Sequence, residues 1–152
     1  MKEVIPPVDR ELIEKELTKE KFLRSTNNSN NELYVITHHD SPNAMREIGR
    51  LREITFRLAG GGTGKEADID KYDIAEIPYK QLIVWDPQLG EILGGYRFII
   101  SKDIQPDENG KIDLATSRLF HFSDKFKQEY IPYMIELGRS FVQPAYQSSN
   151  RN

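Results

Sequence analysis

Apolar residues along the chain fall into alternating helical and strand-like stretches. After Pro6-Pro7, the segment VDRELIEKELTKEKFL sets Leu12, Ile13, Leu17, Phe22 and Leu23 among charges, predicting a loosely amphipathic helix with Asp9 as its N-cap. The polar run from Ser25 to Asn31 reads as a flexible linker, and Glu32 to Thr37 has the composition of a strand. Ser41-Pro42 then opens a longer helix, with serine as the cap and proline in the first position. Met45, Ile48, Leu51, Ile54, Thr55 and Leu58 follow at helical spacing, and the helix stops at the glycines beginning with Gly60. Its polar face is rich in arginine: Arg46, Arg50, Arg52 and Arg57.

Further on, YKQLIVWD and EILGGYRFII flank the turn Pro87-Gln88-Leu89-Gly90, which predicts an antiparallel hairpin. Asp107 to Gly110 marks an exposed loop, Ser123 to Tyr130 a short capped helix, and Met134 to Val142 a further strand. No internal repeat is visible. The order helix, strand, helix, acidic loop, hairpin, helix, strand fits an α+β domain built on a mostly antiparallel sheet.

Composition narrows the function. A chain of 152 residues with 38% hydrophobic content fits one soluble domain. The net charge of −3 supplies no field to gather nucleic acid or an anionic membrane. With no cysteine there is no disulfide, no thiolate nucleophile and no cysteine-type zinc site. The N-terminus lacks the apolar region of a signal peptide, and no window reaches the ~18 apolar residues of a membrane span. A cytoplasmic protein is expected, at most peripheral to the inner membrane.

The stretch AGGGTGKE, Ala59 to Glu66, has the look of a phosphate loop. Such a loop follows a strand and opens a helix, so that backbone N–H groups point at phosphate. Here the glycines follow a helix, the first pattern position is Ala59, and Glu66 stands where a hydroxyl should meet magnesium. Those departures count against a nucleotide site; the glycines read as a helix C-cap entering a mobile loop. The run EADIDKYD follows, with Glu66, Asp68, Asp70 and Asp73. It is open to two readings, a solvated acidic face or carboxylates that hold an ammonium group. A calcium loop lacks its glycine and distal glutamate.

Taken in order, EIGRLREITFR, GGGTGKEADIDKYD, YKQLIVWD, GEILGGYRFI, FHFSDKF and IELGRSFVQPAYQ resemble bacterial N-acyltransferases that make amino-acid-containing lipids, the ornithine and glycine lipid acyltransferases often labelled hemolysin-like, within the GNAT superfamily. The pattern is also similar, more distantly, to acyl-homoserine-lactone synthases. It covers roughly residues 40 to 147, and the Gly-Gly-Gly-Thr-Gly-Lys and Gly-Gly-Tyr-Arg runs fit the glycine-lipid branch best.

The resemblance implies a GNAT-like fold, an acyl thioester donor carried on acyl carrier protein, a small amine acceptor such as glycine or ornithine, no metal and no resident cofactor. It implies Glu136 as the base that deprotonates the amine, with Asp70 and Asp73 orienting the ammonium or supporting the loop over it. Arg57, Arg97 and Arg139 match the pattern's arginines, either clamping an acceptor carboxylate or pairing with the aspartates, and Trp85 is placed to wall the acyl or acceptor pocket. Read from the residues alone, Arg97, Glu136 and Arg139 fit a structural ion-pair network better than a catalytic site, and Trp85 fits a core position. His38-His39-Asp40 matches none of the motif positions and reads as surface, while His121, within Leu119-Phe120-His121-Phe122, reads as a core histidine.

Family members are longer, so the expected division is an N-terminal helical extension and linker over 1–30 and the N-terminal portion of a GNAT-like domain over 31–152, without the later donor-binding strands. An open sheet edge would then invite homo-oligomerisation. The alternative to an enzyme is a noncatalytic fragment or module that docks acyl carrier protein through Arg46, Arg50 and Arg52. A lytic protein has no long apolar segment to support it.

Overall fold

The strand-forming stretches assemble into one antiparallel sheet of order β1-β2-β3-β4-β5, in a computed structural model that describes residues 1–27 and 29–147. The strands are β1 (Phe22–Ser25), β2 (Glu32–Ile36), β3 (Lys80–Asp86), β4 (Glu91–Ile100) and β5 (Ile135–Val142). Helices α1 (Arg10–Glu16), α2 (Pro42–Leu58), α3 (Lys71–Ile74) and α4 (Asp124–Glu129) connect and flank them. Among the described residues no helix is long and apolar enough to cross a membrane.

The predicted hairpin is β3–β4. Asp86 Oδ1 accepts from Gln88 N at 2.8 Å and Leu89 N at 3.0 Å, and Gly90 takes the left-handed φ of 66° that closes the turn. The pair Gly94-Gly95 lets its neighbours come close: a Cβ on Gly94 would meet Phe141 O at 2.6 Å, and one on Gly95 would strike Leu82 O.

Alternation along β3 turns Gln81, Ile83 and Trp85 to the face that α2 covers. There Ile36, Met45, Ile48, Leu51, Ile83, Ile92 and Phe141 form the apolar core, each full burial stabilising by about 1.5–3 kcal/mol. The same inward face changes character toward the other end of the strands. Gln81 on β3 pairs with Arg97 on β4, Arg97 pairs with Gly138 on β5, and Glu136 lies opposite Ile99. Three polar side chains therefore point inward from the sheet where the core would otherwise continue.

Three sequence expectations are corrected. The first helix ends at Glu16, because Phe22–Ser25 pairs with β2 as an edge strand, Phe22 opposite Tyr34. The polar run is accordingly a hairpin connection, closed by Thr26 N→Asn31 O at 2.9 Å, with Asn28 outside the described residues. Ser41 makes no side-chain cap on α2; instead Glu16 reaches over from α1, its carboxylate accepting from Asn43 N at 2.9 Å and Ala44 N at 2.8 Å. A carboxylate there meets the positive end of the helix dipole better than a hydroxyl.

Candidate active site

The polar end of the inward face is a closed ring of alternating charge. Arg52 of α2 bonds Asp73 Oδ1 at 3.2 Å; Arg97 Nη1 bonds Asp73 Oδ2 at 3.2 Å and Asp70 Oδ1 at 2.7 Å. Arg139 then lies 3.6 Å from Asp70 Oδ2 and 2.9 Å from Asp68 Oδ2, and Arg52 Nη1 closes the circuit to the backbone oxygen of Asp68 at 3.5 Å. Gln81 fills the remaining corner, accepting from Arg52 Nη2 at 2.5 Å and donating to Asp73 Oδ1 at 2.9 Å.

Local sequence builds each part. Asp70 and Asp73 form the capping box of α3, so the helix start fixes both carboxylates: Asp70 accepts from Tyr72 N and Asp73 from Asp70 N, each at 3.0 Å. Asp68 is held through its backbone, Asp68 N→Gly49 O at 2.9 Å. Arg139 sits at a register shift between β4 and β5 with φ of 53°, a left-handed conformation rare for a non-glycine residue and one that clusters at functional positions.

Burial separates the ring's members. The side chains of Arg52 and Asp73 are 0% exposed, whereas Arg139 is 36% and Asp70 15% exposed, so these two form the lip open to solvent. Burial lowers the Arg52 guanidinium below its ordinary value, against the pull of Asp73. For Arg97 burial is outweighed by Asp70 and Asp73, which raise it. Burial also opposes ionisation of Asp70, yet Arg97, the Tyr72 N–H and Arg139 together hold its carboxyl below the usual range. Asp68 goes the other way: burial raises it, and Arg139 and Arg52 only partly offset this.

Glu136 neighbours the ring through β5 but is otherwise engaged. Tyr79 donates to its Oε1 at 2.6 Å, while Thr116 donates to Oε2 from both N–H, at 3.2 Å, and hydroxyl. Tyr79 accepts in turn from Ala115 N at 2.9 Å, and burial with the Glu136 contact pushes its phenol pKa up. Glu136 thus fastens the turn at residues 114–117 to the sheet. The Tyr72 and Tyr79 rings stand 5.6 and 5.2 Å from the Arg97 guanidinium and shield it. On their far side lies a mostly apolar cleft of about 320 Å³ floored by Ile77, Ile99 and Leu114.

Besides Glu136, two of the residues carried over from the resemblance lie outside the ring. Trp85 is buried in the apolar core. Arg57 bonds Glu53 Oε1 at 2.7 Å and Lys65 O at 2.5 Å. Glu53 also accepts from Thr63 Oγ1 at 2.5 Å, Gly64 N at 2.8 Å and Thr63 N at 3.0 Å. The glycine loop therefore does wrap an anion with its amides, and the anion is a carboxylate of the preceding helix. A side chain at Gly62 would collide with Arg57 and reach Glu53 Oε1 at 3.0 Å. The expected mobile loop is pinned further by Lys2 N→Gly64 O at 2.9 Å and Ile5 N→Glu66 O at 3.1 Å.

The basic docking face on α2 does not form either, since Arg52 is buried and Arg50 bonds Glu47 at 2.6 and 2.8 Å, leaving Arg46 exposed. His121 is exposed and not a core residue. Of the other ring members, Asp68 belongs to the acidic run whose carboxylates could hold an ammonium group, Arg52 to the arginine-rich face of α2, and Gln81 stands out in neither reading. Arg52 carried a usable signal: it shares the stripe of Ile48 and Thr55, at i, i+4 and i+7, so α2 had to bury it.

A model of the acetyltransferase (GNAT) domain matches residues 51–151, which take in most of α2, the polar ring and strands β3 to β5. The chain belongs to that family. It is 61% identical over 149 residues to a glycine N(alpha)-acyltransferase of Bacteroides thetaiotaomicron, and 59% identical over 149 residues to one of Phocaeicola vulgatus. Each alignment covers 98% of this chain but only 44% and 46% of those relatives, so the chain spans about half their length. No solved structure matches it significantly.

Proposed function

We propose that the chain carries the acceptor site of an N-acyltransferase that moves a fatty acyl group from a thioester on acyl carrier protein to the amine of glycine. The observation that carries this reading is the lip of the ring, where Asp70 and Arg139 present one carboxylate and one guanidinium to solvent beside a buried scaffold of compensated charge. A zwitterionic amino acid offers the complementary pair. The names of the two relatives point to glycine as that amino acid.

The chemistry follows from what the reaction requires. The acceptor enters as an ammonium and must lose a proton before its nitrogen attacks the thioester carbonyl. The C–N bond then forms, the C–S bond breaks, and the carrier leaves as a thiol. Ring carboxylates hold the ammonium and draw off its proton directly or through a bound water. Glu136 serves this site by fixing the 114–117 turn beneath it. Because Arg52, Gln81 and Asp73 are mutually bonded, the lip groups are held in place before substrate arrives.

The test uses the longest form of the protein that can be expressed, a 3-hydroxyacyl carrier protein and a panel of amino acids, with products read by mass spectrometry. N-acylglycine is expected to dominate. Hydrolysis of the thioester without amide formation on any amino acid would reject the proposal.

A further inference from the structure

The chain sequence Glu136-Leu137-Gly138-Arg139 places a glycine in β5 directly across from Arg97, on the inward face of the sheet. Its φ is not left-handed, so backbone conformation does not demand glycine there. Space around it is open as well. Chain neighbours Leu137 and Arg139 aside, the one atom among the described residues within 4 Å of a Cβ built on Gly138 is Arg97 Nε, at 3.9 Å. That nitrogen is buried and has no hydrogen-bond partner among the described residues, although the Arg97 side chain is only 3% exposed and its Nη1 is doubly bonded to Asp70 and Asp73. An orphaned donor on a buried guanidinium is costly unless something else satisfies it.

The acceptor side of the same place is also uncommitted. Asp70 spends Oδ1 on Arg97 and the Tyr72 N–H, while its Oδ2 has the 3.6 Å approach of Arg139 and no hydrogen bond among the described residues. One guanidinium–carboxylate pair thus presents an unused donor and an unused acceptor on either side of its own bond. A carboxylate and an ammonium one carbon apart have the matching order. We propose that the space above Gly138 seats the carboxylate of the acceptor amino acid, with Arg97 Nε as its donor and Asp70 Oδ2 receiving the ammonium, and that Gly138 is the residue that keeps this seat empty. The inference rests on the proposed N-acyl transfer and adds to it where the acceptor sits and what makes the seat.

Gly138→Ala is the direct test, because an alanine methyl at 3.9 Å from Arg97 Nε is an ordinary van der Waals contact that the fold accommodates. Thermal unfolding should stay at the wild-type temperature. The KM for glycine should rise at least about tenfold with kcat little changed, since the added methyl occupies the ground-state seat. An unchanged KM overturns the proposal, and so does a fall in kcat at constant KM, which would put a transition-state oxygen there instead.

Should the variant fail to fold, wild-type protein decides: glycine should be used at least about tenfold better than glycinamide in kcat/KM, and equal use refutes a carboxylate seat. Glycine titration by NMR separates the two claims. If wild type binds glycine and Gly138→Ala does not, yet neither makes amide, the seat stands and the acyl-transfer reading falls. If wild type makes N-acylglycine and the variant binds glycine as tightly as wild type, the seat alone falls.

Discussion

Replacing Glu53 with glutamine should detach the glycine loop from α2, and the size and pH dependence of the loss can be worked from the structure. The Glu53 carboxylate is buried and accepts four hydrogen bonds, from Thr63 Oγ1, Arg57 Nε, Gly64 N and Thr63 N. Burial by itself would raise its pKa, but the bonds from Thr63, Arg57 and Gly64 outweigh burial and lower it from 4.5 to about 2. That depression is equivalent to about 3 kcal/mol of stability. Because the folded-state value is the lower one, this stabilisation is fully present above the ordinary glutamate pKa and is lost as pH falls from about 4.5 toward 2. Glutamine keeps one carbonyl acceptor and sets an NH2 group against donors. Urea unfolding followed by fluorescence of Trp85, which is buried against the core, should show Glu53→Gln destabilised by about 3 kcal/mol at pH 7 and by roughly half that at pH 3. A loss below about 1 kcal/mol at pH 7, or a loss that does not change with pH, would refute the assignment of Glu53 as the anchor of the loop.

Other substitutions probe the ring and its support. Arg52→Ala leaves Asp73 buried against fewer partners and should cost about 3–5 kcal/mol in the same unfolding assay, making it the most damaging arginine replacement on α2. Tyr79→Phe strands Ala115 N and removes a donor from Glu136, with an expected cost of about 1–3 kcal/mol. Glu136→Gln should lower stability by a similar amount, its amide facing the Thr116 N–H, while the acidic limb of the pH–rate profile keeps its wild-type position; loss of that limb would restore Glu136 as the base.

Much of the architecture was legible in the chain because local and long-range preferences agree there. The β3–β4 hairpin has alternating apolar residues around a turn that needs Gly90, and α2 has its apolar stripe and a stop at the glycines. Phe22–Ser25 was misread because its apolar residues continue a helical rhythm, and only pairing with β2 shows it to be a strand. The site was legible in a different way. Asp70, Asp73, Arg97 and Arg139 came from a family pattern, and the structure brings all four into one ring.

Arg57 fitted that pattern equally well in sequence, yet one turn of helix separates it from Glu53, and the i, i+4 pair claims it for the loop. Arg52 was set aside with the polar face of α2, although its spacing from Ile48 already implied burial. The glycine loop misled for a simple reason. Glycine content suggests freedom, whereas the restraint comes from Glu53, a carboxylate that nothing in the loop's own composition reveals.

The central claim is that the lip formed by Asp70 and Arg139, with Arg97 buried behind it, binds glycine for N-acylation. Its most direct measurement is the rate of N-acylglycine formation from a 3-hydroxyacyl carrier protein, comparing wild type with Asp70→Asn and Arg139→Ala and checking by thermal unfolding that each variant remains folded. The account predicts N-acylglycine from wild type and a loss of at least about a hundredfold in kcat/KM for glycine in either variant. Folded variants with wild-type kcat/KM would contradict it.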